Sequence, residues 1–155
     1  MIRESPWVMS QDYPQTVDEI LNPNRKYPPA VLQAVKAFRA SKAWQGTLVE
    51  RQAKYQALNT ALGAAYGVTP PTLVFENDEA QDSGSSCFVP ATNTIILRGR
   101  LSVVTYLHEF AHFRFGHSER TACSWSINLF ARCFPRSFAR CVRDGHMLRK
   151  PRTEQ

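Results

Sequence analysis

Residues 108–112 read His-Glu-Phe-Ala-His. On a helix, four residues turn the chain by about 400°, so His108 and His112 stand one above the other on one face. Two imidazole nitrogens so placed can reach one Zn²⁺ at about 2.0–2.1 Å each. Glu109 adjoins the first ligand and can face a water held by the metal. Zinc lowers the pKa of such a water towards ~7, and a neighbouring carboxylate takes its proton as it attacks a carbonyl. The spacing therefore predicts hydrolysis of peptide bonds in a protein or peptide substrate by metal-activated water. Glu109 is the expected general base, and one zinc per chain the expected cofactor. Random placement of the 4 His and 8 Glu among 155 residues would give this pattern with a frequency on the order of 0.005. The pattern is therefore read as chemistry rather than coincidence.

A catalytic zinc usually has a third protein ligand and an open fourth position. His117, Glu119, Cys123 and His146 are the candidates. On one unbroken helix Glu119 would lie about 10 Å beyond His112 along the axis, too far to share a metal. Gly116 lets the chain turn, so that a ligand can return from the next helix. Glu119, near that helix's start, is the preferred third ligand and His117 its rival. His117, or His146 closing over the site, could instead stabilise an oxyanion.

These side chains need a helix on either side of Gly116. Tyr106, Leu107, Phe110 and Ala111 flank the motif and predict a buried helix over 102–115, as an interior metal site needs. Ser118 is a plausible N-cap for the next helix, and Glu119 in its first turn suits the helix dipole. Ala122, Trp125, Ser126, Leu129 and Phe130 follow at core spacing. Pro135 interrupts the run, which resumes over 138–142. Upstream, 72–75, 87–89 and 94–97 read as short strands, the last two as a hairpin, with an exposed loop over 76–86. Val31, Val35 and Phe38 mark a helix opened by Pro28-Pro29. Leu48, Tyr55, Leu58, Leu62 and Tyr66 are the expected stripe of a second, over 47–66, ended by Gly67. Thr16 to Leu21 has the makings of one helical turn ahead of Asn22-Pro23. The order of elements is that of an α+β fold. The expected organisation is an N-terminal arm (1–28), one domain (29–148) and a basic tail (149–155).

The motif, with Gly116-His117, Glu119, Ala122, Trp125, Ser126, Leu129-Phe130 and Pro135, resembles the ImmA/IrrE-type minimal gluzincins over about residues 68–135. The resemblance implies a zincin-like metallopeptidase domain, with helices on a small curved sheet and a substrate strand beside the sheet edge. It implies His108, His112 and Glu119 as zinc ligands and Glu109 as general base. It also implies a regulatory or DNA-associated protein as substrate. Cys123 stands where that family commonly has Asn, and Pro135 comes late. SprT-like proteases, which act on DNA-associated proteins, are the second resemblance; their third ligand is typically a His.

The rest of the sequence bounds these readings. At 43% hydrophobic and 21% charged, the chain can bury a core and is not of disordered composition. No apolar run approaches a membrane span, and the first residues show no signal-peptide pattern, so a cytoplasmic protein with reduced thiols is expected. Residues 1–90 hold 8 Lys/Arg against 9 Asp/Glu, and residues 91–155 hold 11 against 4. Arg132, Arg136, Arg140 and Arg143 would line one helix face, interleaved with Phe134 and Phe138. That stripe could contact nucleic-acid phosphates, an acidic protein or only solvent. It motivates the alternative reading, a catalytically inactive zincin-fold module binding nucleic acid or a regulatory protein. Cys123, Cys133 and Cys141 are spaced too widely for a structural zinc and are expected as buried thiols. Trp7, Trp44 and Trp125 are expected as core or arm anchors, and Tyr106 as a core residue with a possible place beside the metal ligands.

Overall fold

The computed structural model describes residues 12–77 and 85–148. Among these the chain forms five α-helices and a three-stranded mixed sheet, an α+β arrangement. No helix among them is long and apolar enough to cross a membrane. Trp7, the tail over 149–155 and most of the expected acidic loop lie outside the described residues.

Helix α1 (Pro29–Ala40) starts with proline, whose fixed φ suits the first helical turn. Its buried face carries Val31, Val35 and Phe38, as the spacing predicts. Helix α2 (Leu48–Tyr66) opens with a capping box: Glu50 N–H donates to Thr47 Oγ1 at 3.1 Å, and Thr47 N–H donates to Glu50 Oε1 at 2.8 Å. Tyr55, Leu58 and Leu62 bury against α1 and the sheet. Two expectations fail at the turn between these helices. Trp44, in the turn, is 56% exposed and Leu48, the first residue of α2, is 42% exposed, while Ala43 enters the core.

Strands β1 (Thr72–Glu76) and β3 (Thr94–Arg98) pair in parallel, and β2 (Cys87–Val89) pairs antiparallel with β3 in the order β1-β3-β2. The β2–β3 hairpin is as expected. It turns through a short 3-10 segment and Asn93, whose φ of 53° is one that Asn tolerates. The parallel β1–β3 pair had no local signal, since its partners lie 22 residues apart in register. Asn77 fastens the end of β1 by donating to the carbonyls of Leu97 (3.2 Å) and Gly99 (2.7 Å).

Helices α3 (Val103–Phe115), α4 (Glu119–Cys133) and α5 (Pro135–Arg143) follow, α4 and α5 being separated only by Phe134. Ser102 and Ser118 cap α3 and α4 by accepting backbone N–H groups three residues on. Phe110 stacks on Trp125 with ring centres 5.9 Å apart, joining α3 to α4. Tyr106 is fully buried and donates to Asn59 Oδ1 at 2.6 Å, while Asn59 donates to Pro71 O at 2.7 Å. Tyr106 is thus a core tie between α3 and α2.

Residues 12–27 run along α4 as a strap. One helical turn, closed by Leu21 N–H on Val17 O at 2.9 Å, falls where the sequence suggests it. Asp12 Oδ2 accepts Arg120 N–H at 3.2 Å, and Asn128 Oδ1 accepts Asn22 N–H at 2.6 Å. Tyr27 donates to Trp125 O at 2.7 Å. Arg132 donates to Pro23 O at 3.0 Å and to Arg25 O, with its guanidinium 5.7 Å from the Tyr27 ring centre. Those partners take Arg132 out of the expected basic stripe. Phe134 is buried and Phe138 half-buried, so neither interleaves an exposed face. Arg136, Arg140 and Arg143 remain exposed on α5.

Candidate metal centre

α3 and α4 meet at a tight turn, and the polar side of that meeting is the candidate site. Gly116 adopts φ 107° and ψ −161°, a conformation essentially reserved for glycine. This bend folds α4 back beside α3. It places Glu119, in the first turn of α4, against two side chains of α3.

His108 Nε2 lies 2.9 Å from Glu119 Oε1, and His112 Nε2 lies 3.3 Å from the same oxygen. The two Nε2 atoms are 3.2 Å apart. These three residues form a group that could hold a metal ion. His117, the rival ligand, is exposed in the turn and is not part of the group, because the bend at Gly116 directs Glu119 inward instead. Cys123 is also outside it, since its Sγ lies 3.8 Å from Nδ1, the opposite nitrogen of the His108 ring.

Each imidazole has a partner for its outer nitrogen. His112 Nδ1 is 2.8 Å from the Gly116 carbonyl, which can only accept. Nδ1 therefore carries the proton, and in the neutral ring Nε2 keeps a free lone pair facing the group. Burial disfavours a charged imidazole at His112, but its bonds to Glu119 and Gly116 outweigh that and lift its pKa to about 9. Burial likewise disfavours charge on Glu119, yet the hydrogen bonds from His108 and His112 hold its carboxyl at about 2. His112 is thus held in its charged form beside the Glu119 carboxylate near neutral pH.

Glu109 is 7% exposed. Burial raises its pKa, opposed by the neighbouring His108 and His112, and its carboxylate accepts the backbone N–H of Phe88 on edge strand β2. A cleft of about 290 Å³ opens beside it between α3, α4 and the end of α5. Thr105, His108, Glu109, Cys123, His146 and Tyr13 are on its walls. His146 thus faces the cleft as the sequence allowed, outside the metal group.

All four cysteines are free. Cys123 and Cys133 are buried as expected, and burial pushes the Cys123 thiol up to about 12. Cys141 is half-buried, because it faces the cleft. Cys123, a candidate by its place one turn past Glu119, does reach the site, and two features had no signal in the sequence: the Phe88 N–H on Glu109 and the approach of Tyr13. Each joins residues from separate elements. None of the protein-family models, characterised proteins or solved structures compared with this chain matches it, so its function is read from its own residues.

Proposed function

We propose that this chain is a zinc metallopeptidase of the minimal zincin type, hydrolysing peptide bonds in a protein substrate. The observation that carries the reading is the convergence of His108 Nε2, His112 Nε2 and Glu119 Oε1, with buried Glu109 beside them at the cleft. Zinc is favoured over other metals by the donor set, since two imidazoles and a carboxylate are a common catalytic zinc ligation. The donor separations of 2.9, 3.2 and 3.3 Å also support it. They approach the edges, about 3.3–3.4 Å, of a tetrahedron with bonds of about 2.0–2.1 Å.

When bound, zinc supplies Lewis acidity towards a carbonyl oxygen and towards water. Glu109 is suited to take a proton from the attacking water and return it to the leaving nitrogen, because it lies at the cleft and burial raises its proton affinity above that of an exposed carboxylate. The edge position of β2 supports a substrate main chain adding beside it. The Phe88 N–H ties that edge directly to the proposed base.

Glu109→Gln is the direct test. The variant should bind one zinc and lose turnover by roughly 10²–10⁴-fold, the usual contribution of a general base. Cleavage at the wild-type rate by zinc-loaded Glu109→Gln would sink the mechanism. A second reading, a non-catalytic zincin-fold module, is favoured by the exposed Arg136, Arg140 and Arg143 on α5. Salt-dependent DNA binding without proteolysis, abolished by replacing these three with Ala, would establish it.

A further inference from the structure

We propose that the N-terminal strap is a working part of the metal centre: Tyr13, acting through Cys123, positions His108 for the metal. The inference rests on the metal-centre reading above. It makes Tyr13 and Cys123 positioning residues, without contact to substrate.

The two imidazoles are held unequally. His112 has a backbone carbonyl at 2.8 Å on its outer nitrogen. His108 has the sulfur of Cys123, at 3.8 Å, on its own. For His108 Nε2 to offer a lone pair, its Nδ1 must carry the proton, and Cys123 Sγ stands where that N–H would donate. A thiol sulfur is a weak acceptor and rotates freely about one bond. It orients a ring well only if its own position is fixed.

Tyr13 fixes it. The Tyr13 hydroxyl stands beside the Cys123 thiol, where it can donate to the sulfur. Both side chains are buried, and both line the cleft beside His108. Tyr13 is in turn held by its neighbours in the strap. Asp12 accepts the backbone N–H of Arg120, and Glu19 pairs with the Arg120 guanidinium at 3.1 Å. The same strap residue that follows the Asp12 anchor therefore reaches the outer side of a metal ligand. Seating of residues 12–20 and affinity for metal become linked quantities.

The test is zinc affinity of the full chain, measured by competition with a chromophoric chelator, with Co²⁺ absorption as a second readout. Cys123→Ala should weaken zinc binding about tenfold, the low end for loss of a ligand's outer partner. Tyr13→Phe keeps the ring and should weaken it about threefold. Because Tyr13 acts through Cys123, the double variant should bind no more weakly than Cys123→Ala alone. Cys123→Asn, whose amide oxygen can accept from Nδ1, should recover affinity. The Co²⁺ bands should shift in Cys123→Ala and Tyr13→Phe while the melting temperature of the metal-free Tyr13→Phe protein stays at the wild-type value. Unchanged affinity and spectra in both single variants would overturn the inference and leave the metal centre standing. Additive losses in the double variant would also overturn it, showing that Tyr13 acts by another route. A wild-type chain that takes up no zinc would remove both. Should Cys123→Ala fail to fold, Tyr13→Phe alone decides.

Discussion

Two helix pairs in this molecule are built for different ends. α1 and α2 meet over an apolar face of Val31, Val35, Phe38, Tyr55, Leu58 and Leu62, and their connection is stabilised by an ordinary capping box. α3 and α4 meet over an equally apolar face of Phe110, Ala111, Ala122 and Trp125. Along one side of that face, however, they bring two imidazoles and a carboxylate within 3.3 Å of one another. They do so around a glycine in a backbone conformation other residues avoid. Bringing polar groups together in a half-buried place costs stability unless something compensates. The first pair is scaffold, and the second packs as tightly while carrying a polar group along one edge of its face.

That contrast can be broken in several ways. The largest expected effect is Leu62→Ala in α2, which should cost roughly 2–5 kcal/mol of stability, read by denaturant unfolding. Zinc affinity of the protein that remains folded should not change. Gly116→Ala should cost about 1–3 kcal/mol through its φ of 107° alone, since nothing lies within 4 Å of an added Cβ. Unlike Leu62→Ala, it should also weaken zinc by displacing Glu119, and calorimetric titration of the variant would reveal an unaltered site if the turn did not matter.

The pH dependence sharpens the comparison further. His112 is raised from 6.5 to about 9, so its contribution to metal-free stability is fully present below pH 6.5 and lost as pH rises through about 9. Glu119 is lowered from 4.5 to about 2, so its contribution is present above pH 4.5 and lost as pH falls towards 2. The metal-free protein should therefore draw most from this pair between pH 4.5 and 6.5. Zinc uptake at pH 7 must displace the proton on His112 and should release about one proton per chain. Titration calorimetry in buffers of different ionisation enthalpy reads that number, and none released would contradict the proton's place in the pair. The smallest effect belongs to the outer surface of the first pair. Val49, 74% exposed, should tolerate Val49→Ser within about 0.5 kcal/mol by thermal melting.

What could be read in the sequence follows from how local each signal is. The helices of both pairs, the β2–β3 hairpin and the cap at Ser118 rest on neighbours within a few residues, where periodicity and turn chemistry act directly. The grouping of His108, His112 and Glu119 was legible for the same reason, with Gly116 as the hinge between two near segments. Trp44 was misread because a large apolar residue in a turn carries no sign of which way the turn opens, and Leu48 because the first residue of a helix can lie beyond the surface its later turns pack against. Arg132 was misread because its partners, the carbonyls of Pro23 and Arg25, lie more than 100 residues away. The parallel β1–β3 pair and the approach of Tyr13 are hidden for that reason too. Contacts between distant segments follow from the fold, and local pattern does not encode them.

The central claim is tested most directly by the metal content of the purified chain, measured by elemental mass spectrometry beside a His112→Ala control. The account predicts about one zinc per wild-type chain and a loss of that zinc in the control. A wild-type chain that neither holds zinc nor takes it up on titration, or a control that keeps it, would contradict the account.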